Sequence, residues 1–198
     1  MSESVKELKN VLRRKLRAEA RNYSPLDRAA ASEQICLRLK QQPLWRQARS
    51  VLFYLPLPEE PDVHPLLPEA LAAGKIVTLP RYSATEDTYI PCQVENLVSD
   101  LQPGQYGIHE PVPACSTFDL NKLDFLLVPG VGFAPNGSRL GRGKGYYDRL
   151  LARTRGVRCG VAFDWQVSSE IPLEPHDVCL DCILTPTRWH QVVQPRRS

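Results

Sequence analysis

Val128-Pro129-Gly130-Val131-Gly132-Phe133-Ala134-Pro135-Asn136-Gly137-Ser138-Arg139-Leu140-Gly141-Arg142-Gly143-Lys144-Gly145-Tyr146-Tyr147-Asp148 holds six of the chain's eleven glycines. The run Leu123-Asp124-Phe125-Leu126-Leu127-Val128 leads into it and suits a buried strand. Tyr147, Leu150 and Leu151 follow at helical spacing. The stretch therefore reads as a glycine-rich loop between a strand and a helix. Gly141, Gly143 and Gly145 alternate with Arg142 and Lys144. Glycine lets successive backbone N–H groups turn toward one point and approach it closely. A helix start adds unpaired N–H groups and a positive dipole end. Arg139, Arg142 and Lys144 add full positive charge. The pattern predicts a polyphosphate site, and Asp148 is placed to hold a divalent cation beside it. The bland alternative is a flexible surface turn with solvated charges.

Two common phosphate loops do not fit. Ser138 stands where the first Walker A glycine belongs, and Gly145 replaces the Ser or Thr after the lysine. The dinucleotide spacing fails at Tyr146, which occupies the third glycine position.

Outward from the loop, elements alternate. Residues 2–22 read as an amphipathic helix, apolar along Val5, Leu8, Leu12 and Leu16. Lys6, Lys9, Arg13, Arg17 and Arg21 line its other side, with Glu7 as the intervening acid. Such lines are usually solvated, but like charges one turn apart repel, and this one suggests an anionic partner. Ser24-Pro25-Leu26-Asp27 is a helix start, and that helix stops at Pro43. A strand over 50–55, a helix over 65–73 capped by Gly74 and a strand over 76–79 make a β-α-β unit. The intervening loop 56–62 is rigid and acidic. Loops 56–62 and 129–145 both leave strand ends, where ligands sit in such sheets, so one shared site is expected. On spacing alone Glu60 reads equally as a solvated loop acid. A helix from Tyr146 to about Thr154, a strand over 157–163 and a short strand over 180–185 complete the expectation. Strand–helix alternation predicts one α/β domain over residues 1–198, with a mainly parallel or mixed sheet covered on both faces.

Composition agrees. The chain has 198 residues, 42% apolar and 24% charged, values of a globular protein able to bury a core. Eighteen prolines imply many loops. A net charge of +3 does not argue for nucleic acid and suits an anionic small ligand. No apolar run approaches the roughly 20 residues of a membrane span. The basic N-terminus lacks a signal-peptide core, so a soluble cytoplasmic protein is expected. Cys36, Cys92, Cys115, Cys159, Cys179 and Cys182 are scattered as reduced core cysteines are. His176, Cys179 and Cys182 read weakly as zinc ligands, without a second Cys pair to complete a structural site.

The glycine loop resembles the signature of the 5-formyltetrahydrofolate cyclo-ligase (5,10-methenyltetrahydrofolate synthetase) family, P-G-V/L-A/G-F-D-x-x-G-x-R-L-G-x-G-x-G-Y-Y-D. The match runs from Pro129 to Asp148, with Ala134 where the family carries Asp. Lys9-Asn10-Val11-Leu12-Arg13 resembles the family's K-x-x-L-R, and 102–111 resembles its G-x-W-G-I-x-E-P with Tyr106 for Trp. Pro80-Arg81-Tyr82, Gln166 and 171–177 resemble further family segments, so the likeness spans about residues 5–187. Segments 83–100 and 112–122 are less clear.

The resemblance implies a three-layer α/β/α domain akin to ribose-phosphate isomerase and CoA-transferase-like folds. It also implies ATP-dependent closure of 5-formyltetrahydrofolate to 5,10-methenyltetrahydrofolate. Lys9, Arg13, Arg139, Leu140, Gly141, Arg142, Gly143, Lys144, Gly145, Tyr146 and Tyr147 would hold ATP, with Lys144 and Arg142 acting on the transferring phosphoryl group. Leu55, Glu60, Tyr106, Tyr146 and Tyr147 would contact the folate, and Asp148 and Asp177 would hold Mg²⁺. Alone, Asp177 reads as a turn or cap residue. A monomer is expected, with neither nucleic-acid nor membrane partner. The rivals are a non-catalytic relative that binds nucleotide or RNA, and a sugar-phosphate isomerase, for which no general base is evident.

Overall fold

The computed structural model describes residues 4–104 and 107–192. The chain opens with α1 (Val5–Glu19), α2 (Pro25–Gln41), α3 (Pro43–Gln47), β1 (Ser50–Leu52), α4 (Leu66–Ala72), β2 (Ile76–Ser83) and β3 (Thr88–Val94). Then come β4 (Leu101–Pro103), β5 (His109–Pro111), β6 (Phe125–Val128), β7 (Gly132–Phe133) and β8 (Arg139–Leu140). It closes with α5 (Tyr146–Leu151), β9 (Val157–Val161), β10 (Cys182–Leu184) and β11 (Trp189–Gln191).

Seven strands form one sheet in the order β11-β10-β9-β6-β1-β2-β3. The five inner strands are parallel, and β3 and β11 close the edges antiparallel. The expected β-α-β unit is β1-α4-β2, with Val51 opposite Val77. Period-two alternation splits the side chains between faces. Val51, Phe53, Val77, Phe125, Leu127 and Leu184 pack under α2, α3 and α4 with Ile35, Leu39, Trp45 and Leu67. Leu52, Leu126, Val128 and Ile183 face the other way, onto Leu150 and Leu151 of α5 and onto Leu120, Leu123 and Phe133. Both faces are thus covered, which is why these strands read as continuous apolar runs.

Three local differences from the sequence reading have physical causes. Segment 83–100 contains β3, whose Pro91 weakens a strand reading; β3 is an edge strand, where proline is tolerated. Segment 129–145 is not all loop: β7 and β8 pair as Gly132–Leu140 and Phe133–Arg139. This hairpin carries α1. Leu16 packs with Val131, Ala134, Leu140 and Ile171, and a Cβ on Gly132 would stand 2.5 Å from the Leu16 Cδ1. The strand expected over 50–55 is shorter: β1 ends at Leu52, the Phe53 N–H still donates to Thr78 O of β2 at 2.9 Å, and the chain then leaves the sheet toward loop 56–62.

The α2 start is as the sequence predicts. Ser24 Oγ accepts from the Asp27 N–H, and Asp27 accepts from the Ser24 N–H at 2.9 Å. We expect Ser24→Ala to lower stability by about 1 kcal/mol in urea unfolding, with an unchanged slope. No loss would show that the cap is idle.

Candidate active site

At the carboxyl ends of β1, β2 and β6 lies a cavity of about 390 Å³. One side is apolar and aromatic, built from Tyr54, Leu55, Leu57, Leu79, Pro80, Ile108 and Tyr89. The other is the glycine loop with Arg139, Arg142, Lys144, Tyr146, Tyr147 and Asp148. Glu60 and Glu110 also line it. The two loops that leave strand ends therefore do face one site.

The loop's shape follows from its glycines. Gly143 (φ +102°) and Gly145 (φ +70°) adopt left-handed backbone, which a side chain would strain. Gly145 precedes α5, which ends at Leu151 rather than near Thr154. Under the loop, Arg139 is buried, donating to Pro129 O at 3.2 Å and to Asp148 Oδ2 at 2.9 Å. Its guanidinium also lies over the Tyr147 ring, 5.6 Å from the centroid. Leu140 is buried in the hairpin, contributing backbone and packing rather than an exposed side chain.

Helix α1 brings its basic face to the loop. Arg13 Nε donates to Gly141 O at 2.8 Å. Lys9 is 5% exposed, with Nζ 2.8 Å from Glu174 Oε2 and 2.5 Å from Asp177 Oδ2. Burial disfavours its charge, but the Asp177 and Glu174 carboxylates outweigh this and raise the ammonium's pKa. Glu174, hydrogen-bonded by Lys9, is held below its ordinary value. Of the basic line, Lys9 thus meets carboxylates and Arg13 a loop carbonyl, while Lys6, Arg17 and Arg21 are exposed.

Three of the proposed site cations are paired with carboxylates: Lys9 with Asp177, Arg139 with Asp148, and Arg142 with Glu60 at 3.1 Å. Glu60 also accepts from the Leu57 N–H. It is no solvated loop acid, since its side chain is 8% exposed. Lys144 is exposed at the rim and, among the described residues, has no ion pair. Arg142 additionally borders a second hollow of about 750 Å³, walled by Arg17, Arg21, Tyr23 and Trp165.

Tyr146 and Tyr147 belong to a ring cluster that sequence reasoning did not assemble. Tyr89 lies 5.5 Å from Tyr146 and 5.7 Å from Tyr147, and Tyr82 lies 5.2 Å from Tyr146. Burial pushes the Tyr147 hydroxyl's pKa well above the usual phenol value, so it stays protonated. The signal available was the concentration of tyrosines in 82–89 and 146–147. Tyr106 lies outside the described residues.

Asp148 lines the cavity, whereas Asp177 sits with Glu174 and His176, their ligand atoms all within 4.8 Å of one another. Cys179 and Cys182 do not join that group; Cys182 is buried in β10, and all six cysteines are free. Ala134 does not line the cavity. It is fully buried at the hairpin turn, where its N–H donates to Ser138 O. Its departure from the family pattern therefore touches hairpin packing, not the cavity wall. Among the described residues, no helix is long and apolar enough to cross a membrane.

Sheet, loop and cavity together define an α/β protein with a cation-rich glycine loop at its strand ends. Comparison then narrows the class. A sequence model of the 5-formyltetrahydrofolate cyclo-ligase family matches residues 5–186, and the chain belongs to that family. A 5-formyltetrahydrofolate cyclo-ligase of Escherichia coli K12 is 30% identical over 180 residues, covering 87% of this chain and 97% of its own. The mouse 5-formyltetrahydrofolate cyclo-ligase is 28% identical over 200 residues, covering 91% and 95%. The solved Aquifex aeolicus 5,10-methenyltetrahydrofolate synthetase superposes with a TM-score of 0.85 at 34% identity, covering 96% of each chain.

Proposed function

We propose that this chain is a 5-formyltetrahydrofolate cyclo-ligase, closing 5-formyltetrahydrofolate to 5,10-methenyltetrahydrofolate with ATP. Residues 1–198 are read as a single domain of this kind. The observation that carries the reading is one cavity with an aromatic wall on one side and a cationic glycine loop on the other. A flat reduced pterin suits the first, and a triphosphate the second.

The chemistry asks little of the protein covalently. An N-formyl carbon is a poor electrophile, and its oxygen is a poor leaving group. The formyl oxygen takes the γ-phosphoryl of ATP, and ADP departs. N10 then attacks the formyl carbon and loses its proton. The C–O bond breaks, and phosphate leaves. Such transfer needs placement and charge neutralisation. Lys144 reaches the γ-phosphate, while Arg142, Arg139, Arg13, Lys9 and the amides of Gly141, Gly143 and Gly145 steady the rest. Leu140 contributes through the backbone. Leu55, Glu60 and Tyr106 orient the folate. Tyr146 and Tyr147 close over the intermediate and exclude water.

Asp148 and Asp177 offer hard oxygen donors, and the Lys9 ammonium beside Asp177 indicates that a positive charge is favoured there. Mg²⁺ would neutralise phosphate charge; Asp177 stands in a group with Glu174 and His176 that could hold it, and Asp148, the other proposed carboxylate, lines the cavity outside that group. The test is ADP release on mixing purified chain, MgATP and 5-formyltetrahydrofolate. No folate-dependent ADP would return the argument to a non-catalytic nucleotide binder.

A further inference from the structure

We propose that Glu110 is a specificity-determining residue that reads the 2-amino, N3–H edge of the pterin. The proposal rests on the cyclo-ligase reading above and adds a residue to it.

Three carboxylates line the cavity: Glu60, Glu110 and Asp148. Glu60 is held by Arg142, and Asp148 by Arg139. Glu110 has no ion pair among the described residues. Its one hydrogen bond there is to the backbone, with Oε2 accepting from the Tyr82 N–H at 3.3 Å. That contact fixes where the carboxylate sits. β2 runs to Ser83, but β1 pairs with it only as far as Thr78. Beyond Thr78 one edge of β2 is open, and Glu110 of β5 caps it at Tyr82. Gly104 makes room for this arrangement, since a Cβ there would stand 2.5 Å from the Glu110 Cγ. A carboxylate has about four lone-pair sites, and Tyr82 uses one. The rest are available to the cavity.

The substrate's geometry selects the partner. The formyl group on N5 must meet the γ-phosphate at the glycine loop. The 2-amino and N3–H groups lie at the far end of the bicycle, directed away from that loop. They form a guanidine-like pair of parallel N–H donors, which a carboxylate matches in bidentate fashion. Leu79, Pro80 and Ile108 beside Glu110 supply the apolar flanks. An arginine-paired acid would be the poorer acceptor here, because its lone pairs are already engaged.

The experiment measures folate and nucleotide affinities separately by calorimetry, with the full chain. Glu110→Ala is expected to weaken 5-formyltetrahydrofolate binding about ten-fold or more, the scale for losing a charge-assisted hydrogen-bond partner. MgATP affinity and kcat should stay within two-fold, so the effect falls on KM. Glu110→Gln, which keeps shape and one acceptor, should fall between. A second arm uses the unaltered chain with a substrate analogue lacking the 2-amino group. It should bind the native chain about ten-fold more weakly than the substrate does, and Glu110→Ala should not tell the two apart. Folate affinity within two-fold of native in Glu110→Ala, or equal binding of the analogue and the substrate by the native chain, would overturn the assignment. Failure of the unaltered chain to bind any folate would instead sink the cyclo-ligase reading.

Discussion

Lys144→Ala should fold normally and lose at least about 100-fold in turnover. The folding half follows from exposure: Lys144 is exposed at the cavity rim and, among the described residues, makes no ion pair. Substitutions at such positions stay within about 0.5 kcal/mol. The activity half follows from the state of the other cations. Lys9, Arg139 and Arg142 already hold carboxylates, whereas Lys144 can meet a phosphate without first leaving a partner. Removing one preorganised donor of this kind costs about 10²–10³ in rate. A steady-state ADP assay alongside a thermal melt decides the matter. Near-native turnover in a folded variant would remove Lys144 from the reaction and shift the burden to Arg142.

The elements around the glycine loop were legible because local rules agree there. A continuous apolar run gave β6, left-handed glycines gave the turn, and Tyr147, Leu150 and Leu151 gave the buried side of α5. The Ser24 cap and the β1-α4-β2 unit were equally plain. What the sequence could not display is which charge meets which. Lys9 and Asp177 are 168 residues apart along the chain, and Glu60 and Arg142 are 82 apart. Their contacts exist because α1 docks on the β7–β8 hairpin through Leu16 and Gly132, and because two loops leave the same end of the sheet. Resemblance assigned Glu60 to folate and Arg142 to phosphate, and the fold shows them joined. The β7–β8 hairpin did have a local signal that went unread: Pro135-Asn136-Gly137 is a turn sequence, and Gly137, at φ +89°, donates its N–H to Ala134 O at 2.9 Å. Glu110 escaped notice because its position matters only once β2 outruns β1.

Those ion pairs make a prediction of unusual sign for Asp177→Asn. In the proposed site Lys9 serves a phosphate and Asp177 a cation, yet the two hold each other at 2.5 Å. If those roles hold, binding MgATP would be an exchange, with a phosphate replacing Asp177 on the ammonium and the metal replacing Lys9 on the carboxylate. Asn keeps the side chain's shape and removes its charge. MgATP-dependent turnover should fall roughly 10²-fold, as for the loss of one charge-stabilising group. Metal-free ATP should behave oppositely. Lys9 would keep only Glu174 as an acidic partner, so a phosphate competes for it more easily. Coupling between sites typically amounts to 1–3 kcal/mol, or about 5–150-fold, and a gain of at least about five-fold in metal-free ATP affinity is expected. Calorimetry in chelator measures it. The pairwise origin is checked by a cycle with Lys9→Gln, in which the gain should vanish because the ammonium being released is gone. Unchanged or weaker metal-free binding by Asp177→Asn would mean that Lys9 and Asp177 form a structural pair that stays closed through the reaction, and that the phosphates are held from the loop and Arg13 alone.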